Sequence, residues 1–387
     1  MKEWIYVRAG DFIEFNPRLN IKKGITATKI SMDKLQPFSK KILGAESAVF
    51  TGGAKFRNGD TIMARITPCL ENGKTAFVDI LNDGEIGFGS TEFIVLRARK
   101  GISDPQFIYY LATSPFFRKQ AIKSMVGSSG RQRVQQNVLD NLELKVPDIV
   151  TQEKIGYILS CFDKKIAINK QINDNLELQA QSLVTEYIEK TPYTTHLSDI
   201  ITFDNGFAFQ SKTYLKQGKY KIITIKNVQD GRIDSTGTAF INELPQRMRE
   251  NCILSIGDIL LSLTGNVGRV GIVYEKNLLL NQRVARVVPF DKQLLPFLYF
   301  VFRQPSIKTQ LEMIAKGTAQ LNLSPIEALN LTISYEQSSA TALSQSLEAL
   351  YKIIISNQQE NLLLAQLRDT LLPKLMSGKI DVSSVQL

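Results

Sequence analysis

With three cysteines, one histidine and one tryptophan in 387 residues, the chain is short of the side chains that build metal and redox chemistry. Cys69, Cys161 and Cys252 are far apart and odd in number, no CxxC pair occurs, and His196 stands alone. That pattern excludes a zinc cluster and a disulfide framework. The thiols are expected to be buried and reduced, as in the cytoplasm. No apolar run approaches the length of a membrane span, and Met1-Lys2-Glu3-Trp4 lacks the apolar stretch of a secretory leader. A cytoplasmic protein with no membrane partner is the expectation.

Catalytic signatures are missing too. Gly73-Lys74-Thr75 resembles the end of a phosphate-binding loop, but the spacing demands glycine at position 68, where Pro68 stands. Glu143-x-Lys145 is half of a metal-dependent nuclease signature, without an acidic partner upstream. Residues 142–146 read instead as an alternating edge strand. No GxSxG elbow, dinucleotide fingerprint or outstanding carboxylate pair is present. His196 has no histidine counterpart in the first half of the chain, so a local structural role is expected.

What the chain has in excess is positive charge and internal repetition. Lysine and arginine number 47 against 37 acids, a net charge of +10 that suits a polyanion by releasing its counterions. An apolar content of 43% permits proper cores, and the length predicts two or three folded units. Heptad spacing runs through Ile155, Leu159, Phe162, Ile166, Asn169, Asn173, Leu176, Ala180, Leu183 and Tyr187. It recurs through Leu343, Leu347, Leu350, Ile354, Asn357, Asn361, Leu364, Arg368, Leu371 and Leu375, each 188 positions on (343 less 155). Both runs carry two asparagines at equivalent core positions, which chance leucine periodicity would not reproduce.

Such heptads predict two helices that pack on each other as a coiled coil. Asparagine facing asparagine would fix the register, although a solvated end of the seam would tolerate the same residues. Each helix would span roughly 50 Å at 1.5 Å per residue. That is about one and a half turns of DNA at roughly 34 Å per turn. The repeat extends upstream, where Asp11, Ile13 and Phe15 match Asp199, Ile201 and Phe203, and Gly59-Asp60 matches Gly257-Asp258. Short β-rich runs follow (61–66, 75–80, 92–96; 259–263, 270–274, 283–289), then one helical stretch in each half, 105–125 and 295–315. The expected fold is α+β. Two globular domains, 1–150 and 191–336, are separated by long helices at 151–190 and 337–387, the latter with a C-terminal tail, packed as an antiparallel coiled coil.

Candidate DNA contacts gather at turns. The segment 118–133 holds Arg118, Lys119, Lys123, Arg131 and Arg133 without an acid, and its end supplies Ser128, Ser129, Arg131, Gln132 and Arg133. Hydroxyls and amides there suit phosphates, and arginine or glutamine suits base edges. Arg65, Lys74, Ser90 and Thr91 are further candidates in the first half. In the second half they are Lys226, Asn227, Thr264, Asn266, Arg269, Gln282, Arg283, Lys316, Thr318 and Gln320. The loop 316–322 matches 127–133 in its small and amide residues but has lost the arginines, so two DNA-binding copies would read different sequences.

In combination these features resemble the specificity subunit of type I restriction-modification systems. The resemblance rests on Leu371-Leu372-Pro373-Lys374-Leu375-Met376-Ser377-Gly378-Lys379-Ile380, on Phe162-Asp163-Lys164-Lys165-Ile166, on 59–74 with 87–93, and on Gly257-Asp258-Ile259-Leu260 with Gly265-Asn266-Val267-Gly268. It covers essentially the whole chain. It implies that each globular domain, a target recognition domain, reads one half of a split asymmetric site in double-stranded DNA. The helix pair would set the gap. Two methyltransferase subunits would dock on the helices and restriction subunits would join them. S-adenosylmethionine and ATP would belong to those partners, leaving no cofactor and no metal here. Pro373 departs from the repeat, where Thr185 is its counterpart, and is expected to kink or stop the second helix. Two other readings stay open: a DNA-processing enzyme with its own methylase or nuclease site, and a defence scaffold that has lost base readout.

Overall fold

The structure, a computed structural model, describes residues 4–128, 130–317 and 320–386. It forms two compact units, Met1–Ala167 with Leu363–Leu387, and Ile168–Leu362. Two continuous helices, Ile149–Lys190 and Gln337–Met376, each contribute to both.

In the first unit a four-stranded antiparallel sheet runs Ile13–Phe15, Phe93–Ala98, Thr61–Ala64, Thr75–Phe77. A second sheet runs Glu46–Val49, Thr26–Ile30, Gly87–Gly89, Ala54–Phe56, with Thr26–Ile30 parallel to Gly87–Gly89. Successive strand side chains point to opposite faces. Met63, Ile94 and Leu96 therefore enter one core while Ile62, Phe93 and Val95 enter another. That explains why every residue of Thr61–Ala64 is buried.

The second unit repeats the plan. Ile201–Asn205, Val284–Pro289, Ile259–Ser262 and Val270–Ile272 pair in the same order, extended by Gly231–Ile233 and Val228–Gln229. Tyr220–Ile223 again pairs parallel, with Leu278–Leu280. Two-stranded ribbons close each unit, Ile5–Arg8 with Glu143–Val146 and Thr194–His196 with Thr332–Ser334. Glu143–Val146 alternates exposed and buried residues, as an edge strand should. His196 Nδ1 lies 3.0 Å from the Asn330 carbonyl, a local structural contact.

The shared Gly-Asp pair has a physical explanation. Gly59 and Gly257 adopt φ of 90° and 92°, a region costly for residues with a Cβ. The next residue closes the turn, as Asp60 accepts from Arg57 N and Asp258 from Ser255 N, both at 2.8 Å. Each carboxylate also holds an arginine of the adjacent strand. Arg97 binds Asp60 through two bonds of 2.7 Å, and Arg286 reaches Asp258 at 3.1 Å and Asp204 at 2.5 Å. Asp60 is 1% exposed, so this pair ties the turn into the core.

Three expectations need correction. The stretches 105–125 and 295–315 are not single helices: they divide into Pro105–Thr113 with Pro115–Lys123, and Leu295–Phe302 with Pro305–Ile314. Proline pushes its preceding residue out of the α region, and Ser114 (ψ 148°) and Gln304 (ψ 133°) both comply. The second long helix does not stop at Pro373. It continues to Met376, where Gly378 N bonds Leu375 O and Lys379 N bonds Lys374 O, a Schellman ending. Burial of Leu372 and Leu375 across the proline offsets the lost backbone bond. The thiols are not all buried: Cys252 is, Cys69 is intermediate and Cys161 is exposed on the outer face of its helix.

All fourteen expected seam residues are shielded. Ile155, Leu159, Asn169, Asn173, Leu347 and Ile354 are buried, and Phe162, Ile166, Leu176, Leu343, Leu350, Asn357, Asn361 and Leu364 partly so. Later in the first helix Leu183 is 42% exposed and its neighbour Val184 fills the core. Within the second unit Asn357 Nδ2 donates to Asn173 Oδ1 at 2.8 Å, and Asn169 Nδ2 donates to Asn361 Oδ1 at 3.0 Å. The pairing is antiparallel and buried, not at a solvated end. Within the first unit Arg368 Nη1 donates to Asp163 Oδ1 at 2.5 Å, and Tyr110 donates its hydroxyl to the other carboxylate oxygen at 2.5 Å. Both helices start on an acidic cap, Asp148 accepting from Val150 N and Thr151 N, and Glu336 from Ser338 N and Ser339 N. Bonds from Ser339 and then Ser338 hold the Glu336 carboxyl down to about 2.

Replacing Arg368 with alanine strands Asp163 in the seam, and about 3–5 kcal/mol of stability should be lost in urea unfolding. A double change to leucine at both positions should regain most of it. A single-variant loss below about 1 kcal/mol would contradict the pairing.

Candidate nucleic-acid interface

In the first unit three loops meet where strand Thr61–Ala64 runs out. Arg65 N donates to Glu92 O at 2.9 Å, and Val134 N to Arg65 O at 2.8 Å. Val126 and Arg133 exchange backbone bonds of 3.0 and 2.9 Å, closing 126–133 as a hairpin, and Thr67 N reaches Gln132 O at 3.0 Å. Gly127 (φ 139°) lets the hairpin tighten, because a Cβ there would stand 3.0 Å from Arg131 O.

On this frame Arg133 points its Nε and Nη2 at Glu92, with bonds of 2.7 to 3.0 Å. Among the described residues its Nη1 has no hydrogen-bond partner, and its side chain remains 45% exposed. Thr91, Ser128 and Arg131 are exposed around it, Gln132 is intermediate, and Ser90 Oγ accepts from Glu92 N. Arg65 is anchored through Nη2 to Val134 O at 3.2 Å. Lys74 lies one strand away, its Nζ donating to Met32 O at 2.9 Å. Ser129 lies outside the described residues.

The second unit repeats the frame bond for bond. Leu263 N donates to Arg283 O (3.2 Å), Leu323 N to Leu263 O (2.7 Å) and Gly265 N to Leu321 O (2.9 Å). Lys316 and Asn322 exchange bonds of 2.9 and 2.8 Å. The backbone is conserved between copies and the side chains are not. Arg283, exposed, stands where the first copy has Glu92, and Asn322 where it has Arg133. Thr264 Oγ1 donates to Asn322 Oδ1 at 2.8 Å, and the amide nitrogen has no partner among the described residues.

Lys226, Asn266, Gln282 and Gln320 are exposed, with Gln320 beside Gly265. Lys226 sits on a turn held by buried Asn227, whose Oδ1 accepts from Thr224 N and whose Nδ2 donates to Asp234 O. Asn227 is thus committed to the turn. Arg269 donates to Gln229 Oε1 at 3.1 Å, and Lys316 pairs with Glu327. Thr318 and Ala319 lie outside the described residues.

Each edge therefore combines exposed cations, hydroxyls and one planar donor group braced by a partner. Such a set can bind phosphate oxygens and present a fork to a base edge. Glu92 and Asn322 were absent from the sequence-derived candidates. Both stand inside the loops singled out, and aligning the two copies loop by loop would have paired Arg133 with Asn322. Among the described residues no cluster of His, Cys, Asp or Glu could hold a metal ion, and no helix is long and apolar enough to cross a membrane.

Comparison with known proteins gives one consistent picture. The family model described as type I restriction modification DNA specificity domain matches residues 1–178 and again 193–364. The type I restriction enzyme MjaVIII specificity subunit of Methanocaldococcus jannaschii is 23% identical, over 99% of this chain and 94% of that one. The HindI specificity subunit of Haemophilus influenzae is 24% identical, over 84% and 87%. Among solved structures, the type I restriction-modification S subunit from M. genitalium shares the fold, with a TM-score of 0.53 and 17% identity over 97% of this chain and 96% of that one.

The Glu92–Arg133 fork orients a side chain and does not hold the unit together. Glu92→Gln should change the unfolding free energy by less than about 1 kcal/mol, as for exposed ion pairs generally. A loss of several kcal/mol in urea titration would show that the pair is structural instead.

Proposed function

Because the chain belongs to the type I restriction modification DNA specificity domain family, we propose that it is the subunit that reads a split, asymmetric site in double-stranded DNA. On this reading it directs methyltransferase and restriction subunits to that site and catalyses neither reaction. The observation that carries the proposal is the duplicated edge: one backbone frame, built twice, with Arg133 braced by Glu92 in one copy and Asn322 bonded to Thr264 beside Arg283 in the other. Two copies of a frame with unequal side chains suit two unequal half-sites.

We assign the target recognition domains to residues 1–150 and 191–336, and the spacer helices to 151–190 and 337–387. Two methyltransferase subunits would dock on the helical regions, the restriction subunits would join that assembly, and its setting would be the cytoplasm. At the first edge, Glu92 occupies one side of the Arg133 guanidinium and leaves Nη1 with the rest of Nη2 as an end-on fork. That geometry suits the O6 and N7 acceptors of guanine. Asn322 offers an amide donor and its remaining lone pair at the second edge. Exposed Arg131, Lys226 and Lys316 would meet phosphates, contributing affinity that falls as salt rises.

Arg133→Ala should cost about 1–3 kcal/mol on the matched site and relax preference at one base pair of one half-site. Lys226→Ala should weaken all sequences alike and reduce the salt slope by about 1. Competition between matched and random duplexes measures both. Equal loss on every sequence for Arg133→Ala would remove it from base readout. Methyl transfer by the isolated chain with S-adenosylmethionine would overturn the non-catalytic reading.

Inserting one heptad in both helices lengthens each by about 10 Å. The preferred gap between half-sites should then grow by about three base pairs, at roughly 3.4 Å each. An unchanged gap would sink the spacer role.

A further inference from the structure

Within each unit, the start of one long helix and the end of the other form a groove, and the two copies are filled differently. In the first unit Ile155 and Leu375 line it and are 1% and 2% exposed. The segment after the second helix covers them. It turns at Gly378, where a Cβ would stand 2.8 Å from the Trp4 ring, and then lies along the helices. Val382 is 3% exposed in the same apolar cluster, with Ile380 and Val385 packed against it. Lys154 Nζ fastens this tail by donating to Ser383 O at 2.7 Å.

The repeat offset gives Leu343 for Ile155 and Tyr187 for Leu375 in the second unit. Neither is fully buried there. With Leu183 and Tyr193 they line an open groove of about 620 Å³ whose exposed lining is mostly apolar. The reason is topological. After Lys190 the chain has only Thr191, Pro192 and Tyr193 before strand Thr194–His196, so the offset counterparts of Val382 and Val385, Thr194 and Leu197, belong to that strand and to the core of the unit. Leu183 and Tyr193 are left 42% and 66% exposed. The same helix positions that the tail covers in the first unit are therefore open to solvent in the second.

We propose that this groove docks a short apolar segment of a separate polypeptide, turned and seated as the chain's own tail is seated in the first unit. The occupied copy defines the chemistry: apolar side chains spaced like Ile380, Val382 and Val385, with a turn closed by Val385 N donating to Val382 O at 3.1 Å. At the rim Glu186 is paired with Lys190 and Glu336 caps its own helix, so apolar side chains and not charge select the segment. A second copy of this chain is a poor occupant, because its tail already binds in its own first unit, where the short connection keeps the local concentration high.

The test uses the full-length chain and a synthetic peptide of residues 377–387 carrying a photoreactive group in place of Val382. Saturable binding is expected, with crosslinks at Leu343 or Tyr187. Leu183→Asp, a change at an exposed position, should weaken binding at least tenfold while the circular dichroism spectrum stays unchanged. Crosslinks confined to the groove of Ile155 and Leu375 would overturn the proposal, as would binding indifferent to Leu183→Asp. Sedimentation showing a dimer that Leu183→Asp dissolves would also overturn it, by making a second copy the occupant.

Discussion

The antiparallel seam of the two long helices is the constraint on which the rest depends. It accepts one register, because buried amides must find each other. Asn173 meets Asn357 and Asn169 meets Asn361. A slide of one heptad would set Asn173 against Leu350 or Leu364 and Asn357 against Ile166 or Ala180, leaving hydrogen-bonding capacity unmet away from water. The same register completes the globular cores. Ala180, Val184, Leu347, Tyr351 and Ile354 belong to the core of one unit, and Ile155, Leu159, Leu372 and Leu375 to that of the other. Helix and domain therefore fold as one problem within each unit. The polar pairs lower the stability a fully apolar seam would have, in exchange for a single alignment.

On that support the two loop edges follow a division of labour between backbone and side chain. Strand ends, a hairpin and its glycine give both copies the same set of N–H to carbonyl bonds, so the frame tolerates change at its exposed positions. Glu92 becoming Arg283 reverses a charge, and Arg133 becoming Asn322 replaces a five-donor fork with an amide. Neither change alters the backbone bonds at 263, 265 or 322 relative to 65, 67 or 133. A fold arranged this way can exchange its exposed loop side chains without refolding, because buried strands carry the stability.

Much of this was legible in the sequence because it depends on periodicity. The heptads, the asparagine pairs, the Gly-Asp turns and the repeat itself all follow from local spacing. The breaks before Pro115 and Pro305 are legible in the same way, although 105–125 and 295–315 each read as one helical stretch. What remained hidden was long-range pairing. Glu92 and Arg133 stand 41 positions apart, and no local pattern shows that two loops will meet. Arg368 interrupts an apolar heptad list, and its partner Asp163 lies on the other helix, 205 positions away. Asn227, chosen as a DNA contact from its place in a turn, proved to be what holds the turn together. Amide residues fill both roles, and only the hydrogen-bond partners separate them.

The central claim is that two copies of one frame read two different half-sites at a fixed separation. Sequencing methylated bases in genomic DNA, from cells that express this chain with its methyltransferase subunits, tests it most directly. The account predicts a single motif of two unequal specified blocks separated by a constant unspecified gap. A palindromic or uninterrupted motif would contradict it.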